Sequence, residues 1–378
     1  MKKILFISHD ASRTGAPMVL FHFLKWLQLN QPEIQADLLV LQGGNLESHF
    51  KGVVRNYFDY EIKTATKKLS RKQQILLKVG LFKKPNLKEN LLLELCDNNY
   101  DVVYANTIAS VKLAYDLVSK NESAKFILHL HELNAIIRLM VPNFDVYTMA
   151  IDQFITPAKM VKDNLITNWN VSENKIDVVY ECAEIKESQK RNKTGEKFII
   201  GASGTVHWRK GQDVFIQVAR YLCKHYPENN FKFVWVGTVS VTEHLIIEED
   251  LIKLGLKDKV FFIGEVENPE DYYKDFDVFL MTSREDPFPL VCIEVGMSGM
   301  PIISFENAVG TNEVLVKGGG FVVPYLDIEA MANKVIEYYE NPLLLSDHGA
   351  INKNAFSQFT PDLICPQFFS IIKKSCAI

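Results

Sequence analysis

Asp286 and Glu294 stand with seven residues between them in the stretch Thr282–Pro301, TSREDPFPLVCIEVGMSGMP. The runs on either side, Asp277–Met281 and Pro301–Phe305, are short and apolar without alternation, as buried parallel strands are. Between them Pro289 suits a first helical turn, Leu290, Ile293 and Met297 share one face, and Gly299 closes the helix. A helix opening at the carboxyl end of a strand presents unbonded backbone N–H groups and the positive end of its dipole, which favour an anion. Carboxylates do not bind phosphate, but they accept hydrogen bonds from sugar hydroxyls. An anion site framed by such acceptors suits a nucleotide-sugar.

Other residues carry compatible chemistry. Arg209 and Lys210 lie in the loop Ser203–Gly211, between an expected strand, Phe198–Ala202, and a helix from Gln212 to about Tyr226. Cations at that junction suit a diphosphate. Gly15 sits where the loop His9–Pro17 enters a helix expected over Met18–Leu29, a place where a missing side chain lets backbone approach a ligand. His131 ends the run HLHEL, and a neutral imidazole at a strand's carboxyl end can exchange hydrogen bonds with a hydroxyl. His129, one strand residue inward, reads as structural. Gly237 and Gly264 end two further apolar runs, Phe233–Gly237 and Val260–Gly264, and Gly310 lies in the loop Asn307–Glu313.

The pattern Asp286-x7-Glu294 with PFPLV inside a strand–helix–strand frame resembles the Glu-x7-Glu signature of retaining glycosyltransferase family 4, with Asp in place of the first Glu. The likeness spans nearly the whole chain and is denser in the second half. Gly15-Ala16 is similar to the family's first loop, usually Gly-Gly plus a small residue, with Thr14 in the other glycine's place. Lys210-Gly211 is similar to a family Lys-Gly pair, and Gly204 stands where relatives often have Arg. Asn312 stands where they have Pro.

The resemblance implies the GT-B fold, two Rossmann-like doubly wound α/β domains facing a central cleft. It also implies transfer of a sugar from a nucleotide-diphosphate donor to an acceptor hydroxyl with retention. Lys210 and Arg209 would meet the charge on the departing diphosphate, helped by amides near Leu290 and Val291. Glu294 would hold the ribose, Asp286 a donor-sugar hydroxyl, and His131 would sit near the sugar. Gly15, Gly237, Phe288 and Gly310 complete the expected donor-binding set. No residue is an obvious nucleophile, which fits a front-face reaction, and no metal or cofactor beyond the co-substrate is expected. Saccharide or lipid-linked saccharide acceptors follow from the same likeness, in bacterial surface polysaccharide or glycolipid assembly.

The elements that must position these residues alternate strand and helix throughout, with further strands at Asp37–Leu41, Asp101–Ala105, Phe126–His131, Gln153–Thr156 and Ile176–Tyr180. Two domains are expected for 378 residues. We place them at 1–184 and 198–359, joined by the polar linker 185–197, with a helix from about 360 to 378 returning to the first. A net charge of −4 does not suggest nucleic-acid binding. The six cysteines form no CxxC pair, and His129 with His131 lacks a partner at ligand spacing in the sequence. No stretch is long enough to span a membrane or to form a signal-peptide core, so a cytoplasmic protein is expected. Residues 63–88 are basic, with Ile75, Leu76, Val79 and Phe82 at helical spacing; they suit either an anionic membrane surface or packing on the sheet. Two rival functions remain at this stage, an epimerase acting on nucleotide-sugars and a two-lobed binding protein without chemistry. A Rossmann dehydrogenase is disfavoured because no strand is followed by Gly-x-Gly-x-x-Gly.

Overall fold

The computed structural model describes residues 2–65, 77, 83–184 and 197–376. It divides into two compact units. The first comprises Met1–Thr156, Asn164–Val179 and Cys365–Ile378, the second Pro157–Asp163 and Tyr180–Ile364.

Seven strands build the first unit: β1 Lys3–Asp10, β2 Gln35–Gln42, β3 Asn56–Asp59, β4 Val102–Asn106, β5 Lys125–His129, β6 Gln153–Thr156 and β7 Ile176–Val178. They pair in the order β3-β2-β1-β4-β5-β6-β7, every pair parallel. All five residues of β4 are buried, the mark of a strand covered on both faces, which is why its sequence does not alternate. Strand order reverses at β1 and β4, so the loops leaving their carboxyl ends diverge and open a crevice there. The rings of Phe6, Phe23 and Tyr104 meet at 5.1 to 6.2 Å behind that point. Phe368, from the helix Pro361–Cys376, packs on Phe23 at 5.4 Å, and burying each such ring contributes about 2 kcal/mol.

The second unit has six strands: β8 Phe198–Ser203, β9 Phe231–Val236, β10 Val260–Phe262, β11 Val278–Met281, β12 Ile302–Phe305 and β13 Gly320–Val323. Their order is β10-β9-β8-β11-β12-β13, again wholly parallel. Here the reversal falls between β8 and β11, whose following loops are the two that carry Arg209-Lys210 and Asp286.

Most expected elements appear within a residue or two of their expected limits. β5 stops at His129, which leaves His131 in the loop beyond the strand, and β10 stops at Phe262 rather than Gly264. The first helix begins at Gly15, earlier than expected, because Thr14 already has extended backbone and its carbonyl takes the Met18 N–H at 3.0 Å. β3 and the helix Val241–Leu254 were not anticipated: the first is a polar edge strand, the second a helix whose apolar residues are mostly exposed. Of the basic segment, Lys63 lies in the last turn of a short helix, Tyr60–Thr64, and pairs with Glu94 at 2.7 Å, while Lys88 pairs with Asp116 at 2.6 Å. Those two cations are therefore already matched within the fold. Ile75, Leu76, Val79 and Phe82 lie outside the described residues, as do residues 185–196 of the expected linker 185–197. Among the described residues no helix is long and apolar enough to cross a membrane.

Candidate active site

The second unit gathers its charged groups at the reversal point of its sheet. β8 runs into a loop that ends in a single 3-10 turn, Trp208–Lys210, before the helix Gln212–His225. β11 runs into 282–289 and then the helix Leu290–Met297. Lys210 Nζ donates to Asp286 Oδ2 at 2.6 Å, and Arg209 Nη1 lies 3.5 Å from Oδ1. Ser283 Oγ donates to Asp286 Oδ2 at 3.0 Å, and Arg209 Nη1 also donates to the Glu285 carbonyl at 3.0 Å. Asp286 is 4% exposed. Burial alone would raise its carboxyl pKa. The charges of Lys210 and Arg209, with hydrogen bonds from Lys210 and Ser283, outweigh that and hold it below the ordinary carboxylate value.

Asp286 was expected to face a sugar hydroxyl. Its side chain meets the two cations Lys210 and Arg209. Its backbone is fixed too: the Asp286 N–H donates to Ala308 O at 2.8 Å, and the Gly310 N–H donates to Asp286 O at 3.0 Å. The loop 307–311 is thereby bound to the loop after β11.

The helix N-terminus beside them has no side-chain cap at Pro289, and its first internal bond runs from the Cys292 N–H to Pro289 O at 3.0 Å. The amides of Leu290 and Val291 precede that bond, so they are the donors such a terminus offers to an anion. Glu294 lies half-buried one turn on. Burial first, and then the charge of Glu294, push the Tyr273 hydroxyl pKa up, and that hydroxyl is 2.7 Å from Ser203 Oγ at the end of β8. Burial pushes the neighbouring Cys292 thiol up to about 12, which keeps it a neutral packing group.

Three of the expected donor-binding residues have internal explanations. Phe288 is buried, its ring 5.0 Å from Tyr180 and 5.4 Å from Phe359, in an aromatic cluster beside the helix start. At Gly237 a Cβ would lie 2.2 Å from Gly204 O, and at Gly310 it would lie 1.6 Å from Pro287 O. Both glycines are required by loops that cross in contact. Asn312, in the place of a family proline, uses the amide that proline lacks: its side chain donates to Phe305 O at 2.7 Å and accepts from Ser304 Oγ. Glu313 accepts from Tyr180 Oη at 3.0 Å and from the Met160 N–H at 3.3 Å.

The first unit assembles a polar group at its own reversal point. Asn106 ends β4, fully buried, and bridges two elements: Nδ2 donates to Ala16 O in the first turn of the helix Gly15–Asn30 at 3.0 Å, and Oδ1 is 2.9 Å from His131 Nε2. Glu132 Oε2 accepts from the N–H groups of His131 and Ile108 at 3.0 and 3.1 Å. Thr107 holds φ at +86°, a strained value for a β-branched residue, and such strain concentrates at functional sites. Burial, opposed by Asp10 and aided by His131, lowers the His9 pKa. Gly15 is exposed, with open space where a Cβ would stand. His129 is buried against Tyr104, its Nδ1 2.8 Å from the phenol oxygen, a structural placement.

Sequence reasoning passed over Ser283, Arg284, Asp213 and the bridging part of Asn106. The two arginines and two aspartates around Lys210 come from two distant segments, 209–213 and 284–286, and no periodicity links them. The available signal is position alone: Ser283, Arg284 and Asn106 lie at or just past the carboxyl ends of β11 and β4, and Asp213 opens the helix that follows β8.

Residues 183–358 match the family model described as "Glycosyl transferases group 1". Among curated relatives, a lipopolysaccharide core biosynthesis mannosyltransferase, LpcC of Rhizobium leguminosarum, is 25% identical over 40% of this chain and 44% of its own. A capsular polysaccharide biosynthesis glycosyltransferase, CapM of Staphylococcus aureus, is 28% identical over 48% of this chain and 50% of its own. The chain thus spans about half the length of the curated relatives it matches. Among solved structures, HepE of Anabaena, crystallised with UDP and glucose, superposes with a TM-score of 0.78 at 18% identity, covering 99% of this chain and all of that one. The second unit is therefore similar to the group 1 glycosyltransferases, and the chain has two Rossmann-like parallel-sheet domains of the GT-B class.

Proposed function

We propose that this protein is a retaining glycosyltransferase that moves a sugar from a nucleotide-diphosphate donor to a saccharide or lipid-linked saccharide hydroxyl. The observation that carries the reading is the Lys210–Asp286–Arg209 group, its carboxylate buried and its cations part-exposed, beside the uncapped helix Leu290–Met297 at the reversal point of a parallel sheet. Cations and backbone amides held in place before reaction stabilise a leaving diphosphate without reorganisation. They do there what a divalent ion does elsewhere, so we assign the reaction no metal requirement. Glu294, half-buried on the same helix, is assigned to the ribose hydroxyls.

In the first unit His131, with Asn106, is assigned to hydroxyl recognition, and Gly15 to close backbone approach by a ligand. The names of LpcC and CapM place those relatives in lipopolysaccharide core and capsule synthesis, and HepE was solved with UDP and glucose; they support a nucleotide-sugar donor and a surface-glycan acceptor. Purified protein is to be screened with UDP-, GDP-, ADP- and CDP-sugars for thermal shift and then for nucleotide release with oligosaccharide acceptors. Acceptor-dependent release that Lys210→Ala abolishes is the expected result. Complete turnover of donor without acceptor would instead mark an epimerase.

A further inference from the structure

Three consecutive carbonyls of the basic loop are held by one short stretch of chain. Trp208 O accepts from Arg284 Nη1 at 2.9 Å, Arg209 O from the Arg284 backbone N–H at 2.8 Å, and Lys210 O from Thr282 Oγ1 at 3.1 Å. The Arg284 fork is completed by Asp213, in the first turn of the helix Gln212–His225, at 2.9 and 2.7 Å. The Arg284 side chain is only 16% exposed, while Asp213 is 58% exposed.

The loop needs this support. A lone 3-10 turn has poor hydrogen-bond geometry, and Trp208, its one large apolar residue, is half-exposed and so anchors little. A half-exposed ion pair adds little to stability, so folding alone is a weak reason for the arrangement. A planar guanidinium bonded through both terminal nitrogens, by contrast, fixes direction.

We propose that Arg284 is a positioning residue: held by Asp213, it sets the backbone of Trp208–Lys210 and thereby aims Lys210 at the donor diphosphate. The proposal rests on the reading of Lys210 given above. Arg284 acts through Lys210, so its removal matters only while Lys210 is present. Lysine at position 284 keeps the charge but lacks the planar two-nitrogen fork that meets both Asp213 oxygens while reaching Trp208 O.

The test is calorimetric affinity for UDP, GDP, ADP and CDP, followed with the tightest binder in wild type, Arg284→Ala, Lys210→Ala and the double variant. Arg284→Ala is expected to weaken binding about tenfold or more, and Arg284→Lys to restore less than half of that loss. The double variant is expected to bind within about twofold of Lys210→Ala alone, as coupled residues do. Equal penalties for Arg284→Ala in both backgrounds would mark a merely structural role and overturn the proposal, as would wild-type affinity in Arg284→Ala. Should Arg284→Ala not fold, Asp213→Asn carries the same comparison. If no diphosphate binds, or Lys210→Ala binds as wild type does, the functional reading itself falls.

Discussion

Lys210 Nζ and Asp286 Oδ2 lie 2.6 Å apart although 76 positions separate them in the chain. They meet because β8 and β11 are neighbours in the sheet while their following helices depart to opposite faces. An ion pair buried on one side and bordered by free helix amides is a place where a diphosphate can exchange with a carboxylate for the same cation.

Replacing Lys210 by Ala is expected to lower turnover by about two to three orders of magnitude, the usual cost of one preorganised charge-stabilising group. Nucleotide release under saturating donor measures it, and a loss below about tenfold would contradict the role. Activity of the wild type is expected to survive EDTA, because the cations at the site are the protein's own.

Asp286 makes stability depend on acid. Its folded pKa lies below the ordinary 3.8, so the unfolded chain takes up the proton first. Its contribution is fully present above that ordinary value and is lost as pH falls through the lower folded value. Asp286→Asn should therefore have a lower urea midpoint than wild type at pH 7, with the gap closing below about pH 4. A gap that stays constant down to pH 3 would contradict the assignment.

Two glycines are expected to separate packing from ligand contact. Gly310→Ala places a Cβ 1.6 Å from Pro287 O, and overpacking of that kind should cost about 3 kcal/mol of stability, seen as a lower melting temperature. Gly15→Ala meets open space in a helix's first turn and should leave melting unchanged or slightly higher. If Gly15 is approached by a ligand, the same variant lowers activity; unchanged activity would remove it from the site.

His129 gives a second pH dependence of defined sign. Burial, then the neighbouring His131, hold its pKa well below 6.5, so the unfolded chain binds a proton that the folded chain refuses. Stability is thus present above pH 6.5 and falls as pH drops below it. His9, lowered mainly by burial and facing Asp10 and His131, adds in the same direction. The double variant Tyr104→Phe/His129→Leu removes both partners of the buried hydrogen bond and should flatten the stability curve between pH 7 and 5. An unchanged slope would assign the effect elsewhere.

Much of the fold was legible because buried parallel strands are short, apolar and unalternating, a local property that β11 and β12 display on either side of Asp286. The positions of Lys210, Asp286 and His131 in loops that leave strand ends, and of Glu294 on the helix that follows one, could be read in the same way. What remained hidden depended on direction. The packing of Phe288 on Tyr180 and Phe359, distant in sequence, is one example.

By itself the sequence determined which residues sit at the carboxyl ends of strands, since that follows from local pattern and chain order. Only the tertiary structure decided that Asp286 turns to Lys210 and Arg209, that Arg284 and Thr282 hold the carbonyls beneath them, and that Asn106 joins His131 to the first helix. Each of those depends on which strands become neighbours and how deep a side chain is rooted. Such facts arise from packing many segments at once, and no single window of the chain contains them.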